Sequence, residues 1–128
     1  MAKIIQLKNS NNEKIYPYAC LKEFILYNDS TGTNGNITLS DNVSNYKYIE
    51  IFYRDNSNHY SNVKVYQANG KRISLLTVYP NSTYHFWFNG ALKNINENKI
   101  TSQDASAMDV NSLYANNNIY ITRIVGYK

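Results

Sequence analysis

The chain has 128 residues, the size of one ordinary domain with a single core, and its 13 tyrosines, abundant asparagine, 5 glycines and 2 prolines favour pleated strands and polar turns over helices. Its formal net charge of +4 comes from singly placed Lys and Arg, with no basic block of the kind that tracks phosphates. A single cysteine, Cys20, excludes an intrachain disulfide, and no apolar run approaches the roughly 20 residues that span a bilayer.

Residues 3–7 and 14–18 read as two short extended runs around Asn9-Ser10-Asn11-Asn12, a small hairpin or N-terminal arm. Pro17 confines the second run to an edge, since proline cannot donate to a ladder. A strand over 23–27 leads into a predicted loop, Asp29 to Gly35, followed by a brief strand over 36–39 and a turn over 41–45. The clearest strand is 46–54, where Ile49, Ile51 and Tyr53 alternate with Tyr48, Glu50, Phe52 and Arg54, so the first set should face the core. A polar loop over 55–61 precedes a strand over 62–67 with Val63 and Val65 inward.

Asn69-Gly70 then reads as a hairpin turn into a strand over 72–78, because a type I′ turn requires positive φ at both central positions. Pro80-Asn81-Ser82 is a further turn, and 83–88 is the most aromatic strand, with Tyr84, Phe86 and Phe88 on one face and His85 and Trp87 on the other. Asn89-Gly90 is predicted as another hairpin turn into a strand over 91–95. Residues 96–117 carry little pattern beyond one or two helical turns over 105–113, and a last strand covers 119–125. Some ten short strands without βαβ spacing imply an all-β fold, an antiparallel β-sandwich or jelly-roll-like domain over 21–128, with a short extended N-terminal arm over 1–20 used for attachment.

Catalytic signatures are missing from the sequence. His59 and His85 have no Cys or second His at ligand spacing, so neither a metal nor another cofactor is expected. There is no Gly-x-Ser-x-Gly elbow, Walker loop or His-Glu-x-x-His, and the loop carboxylates open to a glycosidase reading are Asp55, Asp104 and Asp109. Glu50 reads as a surface pair on its strand. Rings are the one chemical surplus, present on both faces of 46–54 and of 83–88, which suits either a subunit interface or a sugar platform.

Two stretches carry the mixture a sugar needs, a flat ring with amide or carboxylate partners for hydroxyls. One is Arg54, Asp55, Asn56, Asn58, His59 and Tyr60; the other is His85 with Trp87, and either could instead be structural.

The opening Lys3-Ile4-Ile5-Gln6-Leu7-Lys8 with Lys14-Ile15-Tyr16-Pro17 resembles the start of tail-fibre and baseplate proteins from phages and prophages of gut Firmicutes. The segments Ile37-Thr38-Leu39-Ser40, Tyr48-Ile49-Glu50-Ile51-Phe52-Tyr53 and Val63-Lys64-Val65-Tyr66, and the ending Ile119-Tyr120-Ile121-Thr122-Arg123-Ile124-Val125-Gly126-Tyr127-Lys128, resemble a C-terminal domain of such proteins. That resemblance implies a virion protein, often trimeric and host-facing; the start, Met1-Ala2-Lys3-Ile4-Ile5-Gln6, lacks the long apolar stretch of a signal peptide, so synthesis in the bacterial cytoplasm is expected. The expected function is non-enzymatic: a receptor-binding module that is a homotrimer, contacts other virion proteins and a host cell-surface glycan, and engages neither nucleic acid nor a membrane. The alternatives are a purely structural virion component and a glycan depolymerase.

Overall fold

The computed structural model describes residues 7–8, 14–15, 21–80, 83, 86–102 and 118–128, with the backbone alone at 7–8, 14–15, 86 and 87. Cys20, Asn81, Ser82, Tyr84, His85, Asp104, Asp109 and the helical turns expected over 105–113 lie outside the described residues.

Every described strand pairing is antiparallel. β1 (Leu7–Lys8) pairs with β2 (Lys14–Ile15) in a small separate sheet. The body is a sandwich of two four-stranded sheets. The first runs β3 (Glu23–Thr33), β10 (Ile119–Tyr127), β5 (Tyr48–Asp55), β6 (Tyr60–Tyr66); the second runs β4 (Ile37–Thr38), β9 (Lys99–Ser102), β8 (Phe86–Asn96), β7 (Arg72–Pro80).

Alternation along β5 does what the sequence expects: Ile49, Ile51 and Tyr53 are buried, opposite Val65, Val63 and Ser61 of β6. They meet Leu75, Ala91, Ile95 and Ile100 of the second sheet, with Ile119, Ile121 and Ile124 of β10 completing the core. Each such fully buried aliphatic side chain stabilises the fold by about 1.5–3 kcal/mol relative to exposure. Lys93 also points inward, on β8 between Ala91 and Ile95, and donates to the Asn34 carbonyl (2.8 Å) and Ser102 Oγ (2.6 Å). Burial pushes its ammonium below the usual lysine range.

Four expectations are corrected. The predicted loop over 29–35 is mostly strand: β3 runs on to Thr33 beside β10, with residues 29–32 bulging out of register between the pairs Asn28–Arg123 and Thr33–Ile121. Polar residues suit that bulge because Asp29 accepts from the Thr31 N–H and hydroxyl, while Gly32 takes φ +82° against Tyr120. Asn69-Gly70 joins strands of different sheets instead of a hairpin. Only Gly70 of the two has positive φ (+79°), and the Asn69 side chain accepts from the Glu97 N–H at 2.8 Å, tying the corner to the β8–β9 hairpin.

Asn89-Gly90 lies within β8, where Asn89 points into the core and Gly90 leaves room for Leu76, whose Cδ2 would lie 2.9 Å from an added Cβ. The unpatterned stretch after residue 96 holds β9, paired with β8 around Glu97 at φ +55°. The turn over 41–45 is a short 3-10 helix, Val43–Asn45, capped by the Asn42 side chain on the Ser44 N–H.

Edge strand β7 is closed to further pairing at its centre. The Tyr53 hydroxyl, reaching across from the first sheet, donates to the Leu76 carbonyl (2.9 Å) and accepts from the Leu76 N–H (3.2 Å).

Candidate functional site

The β5–β6 hairpin carries most of the sequence-selected residues, and its centre is Asp55. Being an odd-numbered position on β5, Asp55 points into the sandwich and is fully buried. Its carboxylate accepts from five donors: the Ser57 N–H (2.8 Å), the His59 N–H (2.9 Å), His59 Nδ1 (2.9 Å), Thr77 Oγ1 (2.8 Å) and Asn89 Nδ2 (3.2 Å). Burial pushes the carboxyl up, but these donors outweigh it and hold it below the usual carboxylate range. Asn58 closes the turn at φ +61°, a conformation asparagine tolerates.

Asp55 is therefore spent on the fold, and so is much of Arg54, whose guanidinium donates to the Asp55 carbonyl (2.9 Å) and the Thr31 carbonyl and sits 4.7 Å from the Tyr120 ring centroid. Asn56, Asn58 and Tyr60 are exposed, Tyr60 at 70%. His59 stacks on Tyr79 at 4.1 Å and 15°. The backbone of Trp87 pairs with that of Tyr79, so the fold places the Trp87 position across one ladder rung from the ring His59 covers. His85 lies outside the described residues.

A second arrangement occupies the outer face of the first sheet. Even-numbered residues of β5 and β6 point outward there, and register aligns Tyr127, Tyr48 and Tyr66 in one row across β10, β5 and β6. Tyr127 stacks on Tyr48 (4.5 Å, 18°) and Tyr48 packs on Tyr66 (5.0 Å, 40°), a column of rings that ends on Tyr66 at the sheet edge, 57% exposed.

One rung along, Glu50 lies beneath the rings, accepting from the Tyr127 hydroxyl (3.2 Å) and from Asn62 Nδ2 (2.8 Å). Burial, and next the bond to Glu50, push the Tyr127 phenol up to about 12. Glu50 is thus a buried positioning group and not the surface pair expected for it. It fixes Tyr127 and Asn62 while leaving the second Asn62 N–H and its carbonyl oxygen outside that bond.

Lys64, the register partner of Glu50, forms no ion pair with it and lies 5.5 Å from the Tyr48 ring centroid; Arg123 lies 5.7 Å from that of Phe52. Among the described residues no Lys or Arg lies within 4 Å of a carboxylate, and the imidazole of His59 is the one ring at that range, on Asp55. The two-faced aromatic strand signalled this face in the sequence, but the contributions of Asn62, Lys64, Tyr66 and Tyr127 depend on strand register.

A cleft of about 240 Å³ between the 3-10 helix and the β6–β7 corner, lined by Val43, Ser44, Tyr46, Gln67, Ala68 and Asn69, carries neither carboxylate nor imidazole. Among the described residues no group of three or more His, Cys, Asp or Glu is placed to hold a metal ion. No protein-family model and no curated protein matches the chain.

Proposed function

We propose that this chain is a non-enzymatic β-sandwich binding module of a phage virion, which holds a cell-surface glycan on the outer face of its first sheet. The observation that carries the binding reading is the ring column ending on exposed Tyr66, with Asn62 four residues away on the same face of β6 and, like Tyr127 at the column's other end, held by Glu50. A sugar ring rests its C–H face on an aromatic ring and satisfies its hydroxyls at amide and phenol groups fixed beforehand, which lowers the ordering cost of binding. The virion context comes from the resemblance of the chain's two ends and middle strands to phage tail proteins. Weak single sites would there gain from multiple copies, since linked sites raise effective concentration without new contacts.

Glycan-array binding and adsorption to host cells test the reading. Tyr66→Ala should weaken glycan binding about tenfold, on the order of 1.4 kcal/mol, with little change in unfolding midpoint because the ring is mostly exposed. Unchanged binding by that variant, or no binding to any glycan, would refute the proposal.

A purely structural virion role is the second reading, favoured by a different surface. On the outer face of the second sheet Leu76, Val78 and Phe88 are exposed together, Val78 and Phe88 being register partners. Such an apolar strip suits a contact between copies in a trimer. Light scattering that shows monomer alone at tens of micromolar would remove that reading.

A further inference from the structure

The ligand that fits this face is more specific than a sugar. The outward positions of edge strand β6 are Tyr60, Asn62, Lys64 and Tyr66, all four exposed and all on one face. At about 3.3 Å per residue the line from Tyr60 to Tyr66 runs roughly 20 Å, room for about four pyranose rings end to end. An exposed ring stands at each end, with an amide and an ammonium between them. Asn62 donates to Glu50, but Lys64 lies within 4 Å of no carboxylate among the described residues: it leaves Glu50 to Tyr127 and Asn62 and rests against Tyr48. Arg123, exposed on β10 across β5 from Asn62, is likewise near Phe52 and within 4 Å of no carboxylate among the described residues.

From this geometry we infer that the β6 track binds an internal stretch of an acidic polysaccharide whose carboxylates are carried on the sugar rings. The inference rests on the glycan-binding reading above and adds chain length and charge to it. Lys64 Nζ lies 5.5 Å from the Tyr48 ring centroid, so its charge sits at the level of the rings and within reach of a carboxylate carried on a sugar resting there. Glu50 holds Asn62 beneath the same rung and so presents an amide to ring hydroxyls, groups that a polysaccharide supplies at every residue. With an exposed ring at each end of the line, the middle of a chain rests on it as readily as a terminus.

The test uses the full chain and uronate oligomers built from galacturonate, mannuronate or guluronate, as dimers and tetramers, with carboxyl-reduced neutral tetramers and an oligothymidylate beside them. At least one uronate tetramer should bind at least about tenfold more tightly than its dimer and than its neutral counterpart, a gap near 1.4 kcal/mol. Lys64→Met, on an exposed position, should erase the preference of the charged tetramer over its neutral counterpart and keep the fold by thermal unfolding. Equal binding of charged and neutral tetramers overturns the charge inference and leaves glycan recognition standing. Dimers that bind as well as tetramers overturn the extended track. Tighter binding of oligothymidylate overturns the ligand class, and failure of every glycan overturns the inference together with the reading beneath it.

Discussion

Replacing Asp55 by alanine tests whether the hairpin predicted to bind ligand is instead a fold anchor. The carboxylate gathers two main-chain N–H groups, an imidazole, and the side chains of Thr77 and Asn89 on the facing sheet. The Ser57 and His59 donors belong to an exposed turn and regain water in the variant, so their loss costs little. The Thr77 and Asn89 bonds are buried, and hydrogen bonds to a charged acceptor are worth about 1.5–3 kcal/mol each, coupled here through one oxygen. Asp55→Ala should therefore destabilise the domain by about 3–5 kcal/mol, a large share of the 5–15 kcal/mol typical of a domain. Urea unfolding followed by circular dichroism measures this directly, with the slope expected to stay constant. A loss below about 1 kcal/mol would show that the buried bonds contribute little and would refute the reasoning.

Gly126→Ala places a Cβ 2.5 Å from the Tyr46 ring, so the ring must shift, at a cost of about 1–3 kcal/mol; thermal unfolding should register a lower midpoint. Tyr53→Phe removes the hydroxyl that satisfies the Leu76 N–H and carbonyl, which should cost about 1–2 kcal/mol in urea unfolding and raise self-association in light scattering by opening the β7 edge. Tyr27, Tyr46 and Tyr127 have phenols raised to about 12 from 10.0, by burial first and then by hydrogen bonds to Asp29, Asp41 and Glu50. Between those values the folded state keeps protons that the unfolded chain has lost, so stability present below pH 10 should fall as pH rises toward 12. Urea unfolding that shows no loss of stability between pH 10 and 12 would contradict this.

Local patterning carried far where the strands alternate cleanly. Ile49, Ile51 and Tyr53 read as inward and are buried, because the two-residue period of a strand is a property of the chain alone. Val65 is buried and Val63 packs against the core for the same reason. Asparagine and glycine misled where tertiary contacts used them differently from turns. Asn89 serves as a buried donor to Asp55, Gly90 makes space for Leu76, and residues 29–32 fill a bulge beside β10, since their partners lie far away in sequence. Of the ligand residues chosen from sequence, Arg54 and Asp55 turned out to hold the hairpin together, while Tyr60 stands on the exposed β6 line.

What the amino-acid sequence determined by itself is the strand content and the side of each strand that seeks the core, because period and turn chemistry are written into neighbouring residues. Only the tertiary structure decided that β10 returns between β3 and β5, bringing Tyr127 against Tyr48 and its hydroxyl onto Glu50. Those groups are separated by most of the chain. Their meeting depends on which strands neighbour one another and in what register, and a one-residue slip would turn the whole outward set toward the core.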